Sequence, residues 1–160
     1  MRVGCTGHQN LTPGTHRAVA RAVAERIARV PGEEELVGLS CLAEGADQLF
    51  AFAVLAAGGR LHAVLPSEGY ATSFASDRAR ESWSALLRLA TETVTLPFDA
   101  PGEDAYMAAG QEVVDRCDLL LAVWDGNGAA GLGGTADVVA YARECGVEVH
   151  VIWPPGARRR

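Results

Sequence analysis

Short apolar runs of strand length recur along this chain, and between them lie segments whose apolar residues repeat every three or four positions. The runs fall at about 2–6, 36–40, 61–65, 93–96, 118–124 and 147–153. Strand-length and helix-length segments in strict alternation are the pattern of an α/β protein with a parallel sheet, because parallel neighbours need a crossover and helices supply it. Before the second run, Thr12 caps a helix, Pro13 occupies its first turn, and Val19, Val23 and Ile27 form one stripe that Gly32 ends. The next helix, about 45–58, is apolar nearly all round through Leu49, Phe50, Phe52, Val54 and Leu55, and is expected at the centre of the core. Two later helices are amphipathic: Ala79, Trp83, Leu86, Leu87 and Ala90 share one face, and Tyr106, Gly110, Val113 and Cys117 share another. Those aromatics read as core.

A chain of 160 residues with 49% hydrophobic residues buries one core, so residues 1–156 read as a single domain followed by a basic tail, 157–160, with a solvated end. No apolar run approaches the roughly 20 residues that span a bilayer, and no signal-peptide pattern opens the sequence, so a cytoplasmic protein without membrane contact is expected. Cys5, Cys41, Cys117 and Cys145 are widely spaced and show no CxxC, which suggests neither zinc nor a disulfide framework. His16, His62 and His150 lie on helix or strand segments without metal-ligand spacing, so no metal and no cofactor is expected. The net charge of −6 and the complete absence of lysine argue against nucleic acid as a partner, despite Arg158, Arg159 and Arg160.

In open parallel sheets, ligands bind beyond the carboxyl ends of the strands. Four of the loops there are rich in small and polar residues: "TGHQNLTP", "SCLAEGAD", "LPSEGY" and "WDGNGAAGLGGTAD". In the last, Gly131, Gly133 and Gly134 free the backbone and Thr135 is placed to cap a helix from Ala136. Gly45 opens the apolar helix in the same manner. If the strands before these two helices flank strand one, the N–H groups of Gly45 and Ala46 would converge with those of Gly134 and Thr135 on one phosphate. Neither the dinucleotide GxGxxG arrangement nor a P-loop is present. His8 is a further ligand candidate. Glu44, Asp47, Asp125 and Asp137 are the carboxylates near the expected cleft, though Asp47 and Asp137 also suit first helical turns. Ser40 and Ser67 lack the GxSxG context of a serine hydrolase.

The motifs "VGCTGHQNLTP", Gly38 with "LAEGADQLFA", "DLLLAVWDG" and "GGTADVVAYARECGVEVHVIWP" resemble, in order and spacing, the SLOG superfamily of Rossmann-like domains. That group includes DprA-like and YpsA-like proteins and the LOG phosphoribohydrolases that activate cytokinins. The resemblance implies a three-layer α/β/α sandwich with strand one central, and a nucleotide-derived ligand held by the loops after strands one, two and five. It points to Thr6, Gly7, Gly45, Asp47, Asp125, Gly126, Gly133, Gly134 and Thr135. LOG-type hydrolases carry a PGGxGTxxE loop and an Arg-Lys pair on the preceding helix; matching "GT" here puts Val138 at the Glu, and Ala109 and Gly110 at the pair. Valine exchanges no proton, so binding or sensing of a nucleotide-derived small molecule is expected ahead of a LOG-type hydrolase or a DprA-like single-strand binder. The sequence leaves a homo-oligomer open.

Overall fold

The computed structural model describes residues 1–32, 35–128 and 131–160. Six strands, β1 (Arg2–Gly7), β2 (Val37–Ser40), β3 (Arg60–Leu65), β4 (Glu92–Thr95), β5 (Leu119–Val123) and β6 (Glu148–Ile152), form one sheet in the order β4-β3-β2-β1-β5-β6. Every pairing is parallel, with β1 registered on β2 through Val3 and Gly38 and on β5 through Cys5 and Leu121. The helices are α1 (Pro13–Ala28), α2 (Ala46–Ala56), α3 (Asp77–Leu89), α4 (Glu103–Asp115) and α5 (Thr135–Glu144), with a 3₁₀ turn at Glu68–Ser73 after β3. This is the parallel α/β arrangement that the alternation predicts and the three-layer architecture that the resemblance implies, with β1 between β2 and β5.

Alternation along each strand sorts the core into two faces. Val3, Cys5, Leu119, Leu121 and Val123 pack with α1 and α2, and Leu61, Ala63 and Leu65 continue that face towards Leu86 of α3. On the other face Val37, Leu39, Val64 and Leu120 meet α4 and α5 through Ala109, Val113, Val138 and Ala142. Thr12 caps α1 by accepting the Thr15 N–H, but the helix stops at Ala28, before Gly32. Helix α2 is less uniformly buried than its composition suggests: Phe52 is 47% exposed, while the polar Asp47 and Gln48 are buried. Gln48 is satisfied by donating to the carbonyls of Leu42 and Ala79, which ties α2 to α3.

The basic segment is not a free solvated end. Residues 154–160 fold back across the β1–α1 loop, where Leu11 and Arg159 form an antiparallel bridge. The Thr12 N–H donates to Arg158 O, the Arg160 N–H to Asn10 O, and the Arg158 N–H to Thr15 Oγ1. Side chains dock as well as backbone: Arg159 Nε donates to Asn10 Oδ1 at 3.1 Å and Arg160 Nε to Leu11 O at 2.9 Å.

Strand β1 and α2 approach so closely that only glycine fits at their contact. A Cβ on Gly7 would lie 2.5 Å from the Cβ of Ala46 and 2.7 Å from that of Val123. Gly7→Ala is expected to destabilise the protein by about 1–3 kcal/mol through overpacking. Denaturant unfolding measures it, and an unchanged midpoint would mean that this junction has slack.

Candidate functional site

A cavity of about 490 Å³ opens at the carboxyl ends of the strands, where the strand order diverges on either side of β1. This is the topological switch point at which open α/β sheets take ligands. Its wall runs from Cys5, Thr6, Gly7 and His8 at the end of β1 to Cys41 and Ala43 after β2, and on to Pro66 and Tyr70 after β3. Tyr106, Ala109 and Gly110 of α4 close another side, and the turn Gly131–Ala136 before α5 forms the rim with Arg159. Thr6, Gly7, His8, Asp47, Gly133, Gly134 and Thr135 are thus brought together, whereas Gly45, Ala46, Asp125 and Gly126 lie off this wall.

The start of α2 explains its glycine differently from the sequence. Gly45 has φ +86°, a conformation suited to glycine, and a Cβ there would lie 2.7 Å from the carbonyl oxygens of both His8 and Gln9. The Ala46 N–H donates to His8 O at 3.2 Å. The β1–α1 loop therefore occupies the anion-binding end of α2, and a protein carbonyl takes the place expected for phosphate. Convergence of two open helix ends is not what the fold builds.

Asp47 turns inward from this blocked end to the cavity floor, where it is 6% exposed. The chain is shaped to meet it. Leu42 adopts φ 57°, its N–H donates to Ser40 Oγ at 3.0 Å, and the following Ala43 N–H reaches Asp47 Oδ2 at 3.4 Å. Burial pushes the carboxyl up to about 7, against the opposing hydrogen bonds from Ala43, Cys5, Ser40 and Cys41. Burial, reinforced by the Asp47 charge, likewise raises the Cys5 and Cys41 thiols, so both remain protonated.

Helix α5 keeps an open end. Its cap is Gly134 in extended conformation, so Thr135 is the first helical residue and no side chain caps the helix. Asp137 Oδ2 accepts the Gly133 N–H at 3.0 Å and holds the turn. Gly133, at φ +83°, lies against the backbone of α4: a Cβ would stand 2.7 Å from Met107 N. The first N–H groups of a helix have no intrahelical acceptor, and here Gly134, Thr135 and Ala136 present them at the cavity wall. Beside them, Val138 is 3% exposed and packs on Gly110, where a Cβ would meet Val138 Cγ2 at 2.5 Å. An apolar helix-to-helix contact stands where a LOG-type proton-transfer pair would need room.

Asp125 serves the scaffold of the site. Its carboxylate accepts the Asn127 N–H at 3.0 Å, closing the turn in which Gly126 has φ +83°. His8 Nε2 lies 3.1 Å from Asp125 Oδ1 and 3.2 Å from Asp125 N, so this nitrogen bonds to Asp125 whether or not it carries the ring proton. Partial burial lowers the His8 pKa, the Asp125 hydrogen bond opposes that shift, and Arg159 adds to it. For Asp125, burial opposes ionisation, but hydrogen bonds from Asn127 and His8 outweigh it and hold the carboxyl well below the usual range. His8 also packs edge-on against Trp153 at 5.6 Å.

Three wall residues, Tyr70, Tyr106 and Arg159, were not assigned to the site by the sequence, which read Tyr106 as core and Arg159 as part of a basic tail. Tyr70 and Tyr106 belong to an aromatic cluster with Phe74 and Trp83, and burial raises the Tyr70 hydroxyl pKa. Arg159 arrives from the folded-back segment. Trp124, beside Asp125, donates from Nε1 to Asn127 O and lies under Arg143. Among the described residues no group of three or more His, Cys, Asp or Glu side chains is arranged to hold a metal ion.

The raised Asp47 pKa makes stability depend on pH with a definite sign. Between the unfolded value of about 3.9 and the folded value of about 7, the folded state binds the extra proton, so unfolding free energy falls as pH rises through this window. The loss is complete above the folded pKa. Asp47→Asn is expected to flatten that decline and to melt above wild type at pH 8, on a scale of about 2–4 °C per kcal/mol. Melting curves of both proteins from pH 4 to pH 8 test this; a difference that stays constant with pH would assign Asp47 an ordinary carboxyl.

No protein-family model matches the sequence, and no curated protein matches it. Solved structures do match the fold. DNA processing protein A (DprA) of Streptococcus pneumoniae aligns over 97% of this chain and 51% of its own length, with TM-score 0.68 and 18% identity. The chain thus spans about half the length of that protein. DprA of Helicobacter pylori, described for its single-stranded DNA binding mode, aligns over 99% of this chain and 68% of its own, with TM-score 0.67 and 13% identity. The molybdenum cofactor carrier protein of Chlamydomonas reinhardtii aligns over 94% and 74%, with TM-score 0.57 and 14% identity. With these neighbours and a parallel sheet centred on β1, the chain shares the Rossmann-like fold of these structures.

Proposed function

We propose that the chain binds a nucleotide-derived small molecule in the cavity beside β1, with a phosphoryl group at the start of α5. The observation that carries this reading is the joint lining of one cavity by Gly134, Thr135 and Ala136 at an uncapped helix end and by Tyr70 and Tyr106 on an aromatic wall. The helix end offers oriented N–H groups and partial positive charge to an anion. The tyrosines offer an apolar surface to a planar ring. The volume of about 490 Å³ falls in the range of small-molecule sites. Asp47 at the floor provides an acceptor for a ligand hydroxyl or N–H when ionised and a donor when protonated.

Binding or sensing is favoured over LOG-type hydrolysis because Val138 and Gly110 fill the space of the catalytic pair with hydrocarbon. Mixing the protein with nucleoside monophosphates is expected to release free base far more slowly than about 1 s⁻¹, the lower end of common turnover numbers. Release near that rate, abolished by Asp137→Asn, would establish catalysis instead.

Calorimetric titration with AMP and ADP-ribose tests the binding itself. Gly134 has φ −71° and ψ 170°, so valine is tolerated by the backbone, and the substitution adds bulk at a residue of the cavity wall. Gly134→Val is expected to weaken both ligands by about tenfold or more, the equivalent of about 1.4 kcal/mol. Equal affinity for wild type and variant would remove this loop from the site. Binding of single-stranded oligonucleotide without binding of either small ligand would turn the reading towards the DNA-binding behaviour described for the DprA neighbour.

A further inference from the structure

The folded-back segment 154–160 brings to the cavity a charge that no strand or helix supplies. Of the cavity's described lining residues, Arg159 is the sole arginine, and the chain contains no lysine. Its backbone is set by the Leu11 bridge and by the flanking bonds of Arg158 and Arg160 to Thr12, Thr15 and Asn10. Its side chain is also oriented: Nε donates to Asn10 Oδ1 at 3.1 Å, and one terminal nitrogen lies 3.5 Å from Asp125 Oδ2.

We propose that Arg159 is the phosphoryl-recognising side chain of this site and gives it preference for phosphorylated over unphosphorylated ligands. The proposal rests on the small-molecule reading above and deepens it. A guanidinium has five N–H donors in a planar fork suited to bidentate recognition of phosphate. Two are directed to Asn10 and Asp125, which fixes the plane and leaves the remainder of the fork for a ligand. Arg159 is 36% exposed, so its charge is not sealed away from an incoming anion.

The other ionisable groups around it favour this role. His8, facing Arg159 from the β1 loop, has its pKa lowered by burial first and by Arg159 as a further cause, so it brings no competing cation near neutral pH. Asp125 stays ionised and serves as the anchor, held by Asn127 and His8 as well as by Arg159. Asp47 lies on the floor and Glu103 beside the Gly131 turn, so the lining has acidic groups that would repel a phosphate if no cation offset them. A ligand with its phosphoryl group between the Arg159 fork and the α5 end meets positive potential from both and keeps its uncharged part at the tyrosines.

The experiment compares wild type, Arg159→Gln, Arg159→Lys and the control Arg160→Gln by calorimetry, using AMP, adenosine and inorganic pyrophosphate as probes. Wild type is expected to bind AMP more tightly than adenosine. Arg159→Gln should weaken AMP and pyrophosphate by about tenfold or more and leave adenosine within about twofold. Arg159→Lys should recover only part of the loss because a point charge cannot reproduce the fork, and Arg160→Gln should bind as wild type. Melting curves are recorded in parallel, since a purely structural role would lower stability and weaken adenosine and AMP alike. That uniform loss would overturn the proposal, as would equal AMP affinity in wild type and Arg159→Gln. Arg159-dependent pyrophosphate binding without nucleotide binding would uphold this role while overturning the nucleotide reading. Binding of none of the three probes by wild type would overturn both.

Discussion

The contact between the end of β1 and the start of α2 sets the geometry of everything around the cavity. Gly7 lets Ala46 and Val123 close over β1, Gly45 lets the backbone of His8 and Gln9 cross the helix end, and the Ala46 N–H fastens on His8 O. His8 is fixed on its other side by its own N–H to Val123 O. With the loop pinned between β5 and α2, its next residues Asn10 and Leu11 are positioned to receive the folded-back segment. Backbone clearance at two glycines, more than any side-chain bond, therefore decides where His8, Asp125 and Arg159 stand.

The architecture was legible because hydrophobic periodicity survives in single residues: Val3 and Cys5 against Gly4 on β1, or Val19, Val23 and Ile27 on α1. The place of strand one between the second and fifth was expected from the resemblance, whereas the order of the outer strands was not read from the sequence. The site was legible only in part. The glycine-rich turn before α5 does reach the cavity, and Gly133 passes against the backbone of α4 as its lack of a side chain permits. Gly45 and Ala46 were misassigned, for a glycine at a helix start signals close approach without saying what approaches. The occupant came from the loop after β1, a tertiary contact with no local signature. Tyr70, Tyr106 and Arg159 were missed for the same reason, because their period or their position in a basic run describes only their immediate neighbours.

Charge placement in this molecule is sparing. Asp137 spends its carboxylate on the Gly133 N–H within its own loop, and Asp125 on Asn127 together with His8 and Arg159. Asp47 differs in being buried, a carboxyl on the cavity floor that accepts the Ala43 N–H and faces two protonated thiols. Such a group opposes folding in its ionised form, and it stands in the wall of the cavity beside β1.

The central place of β1 has a consequence for how the chain is made. Arg2 on this strand bonds through its N–H to the carboxylate of Asp118, 116 residues further on. During synthesis β1 emerges before either of its neighbours, and its β5-facing edge has no partner until most of the chain has left the ribosome. Pairing with β2 can shield one side early, but the other remains an open template for unwanted strands throughout translation. Closure of that edge by β5 precedes completion of the cavity, whose remaining wall, Gly131–Ala136 and Arg159, follows β5 in the chain.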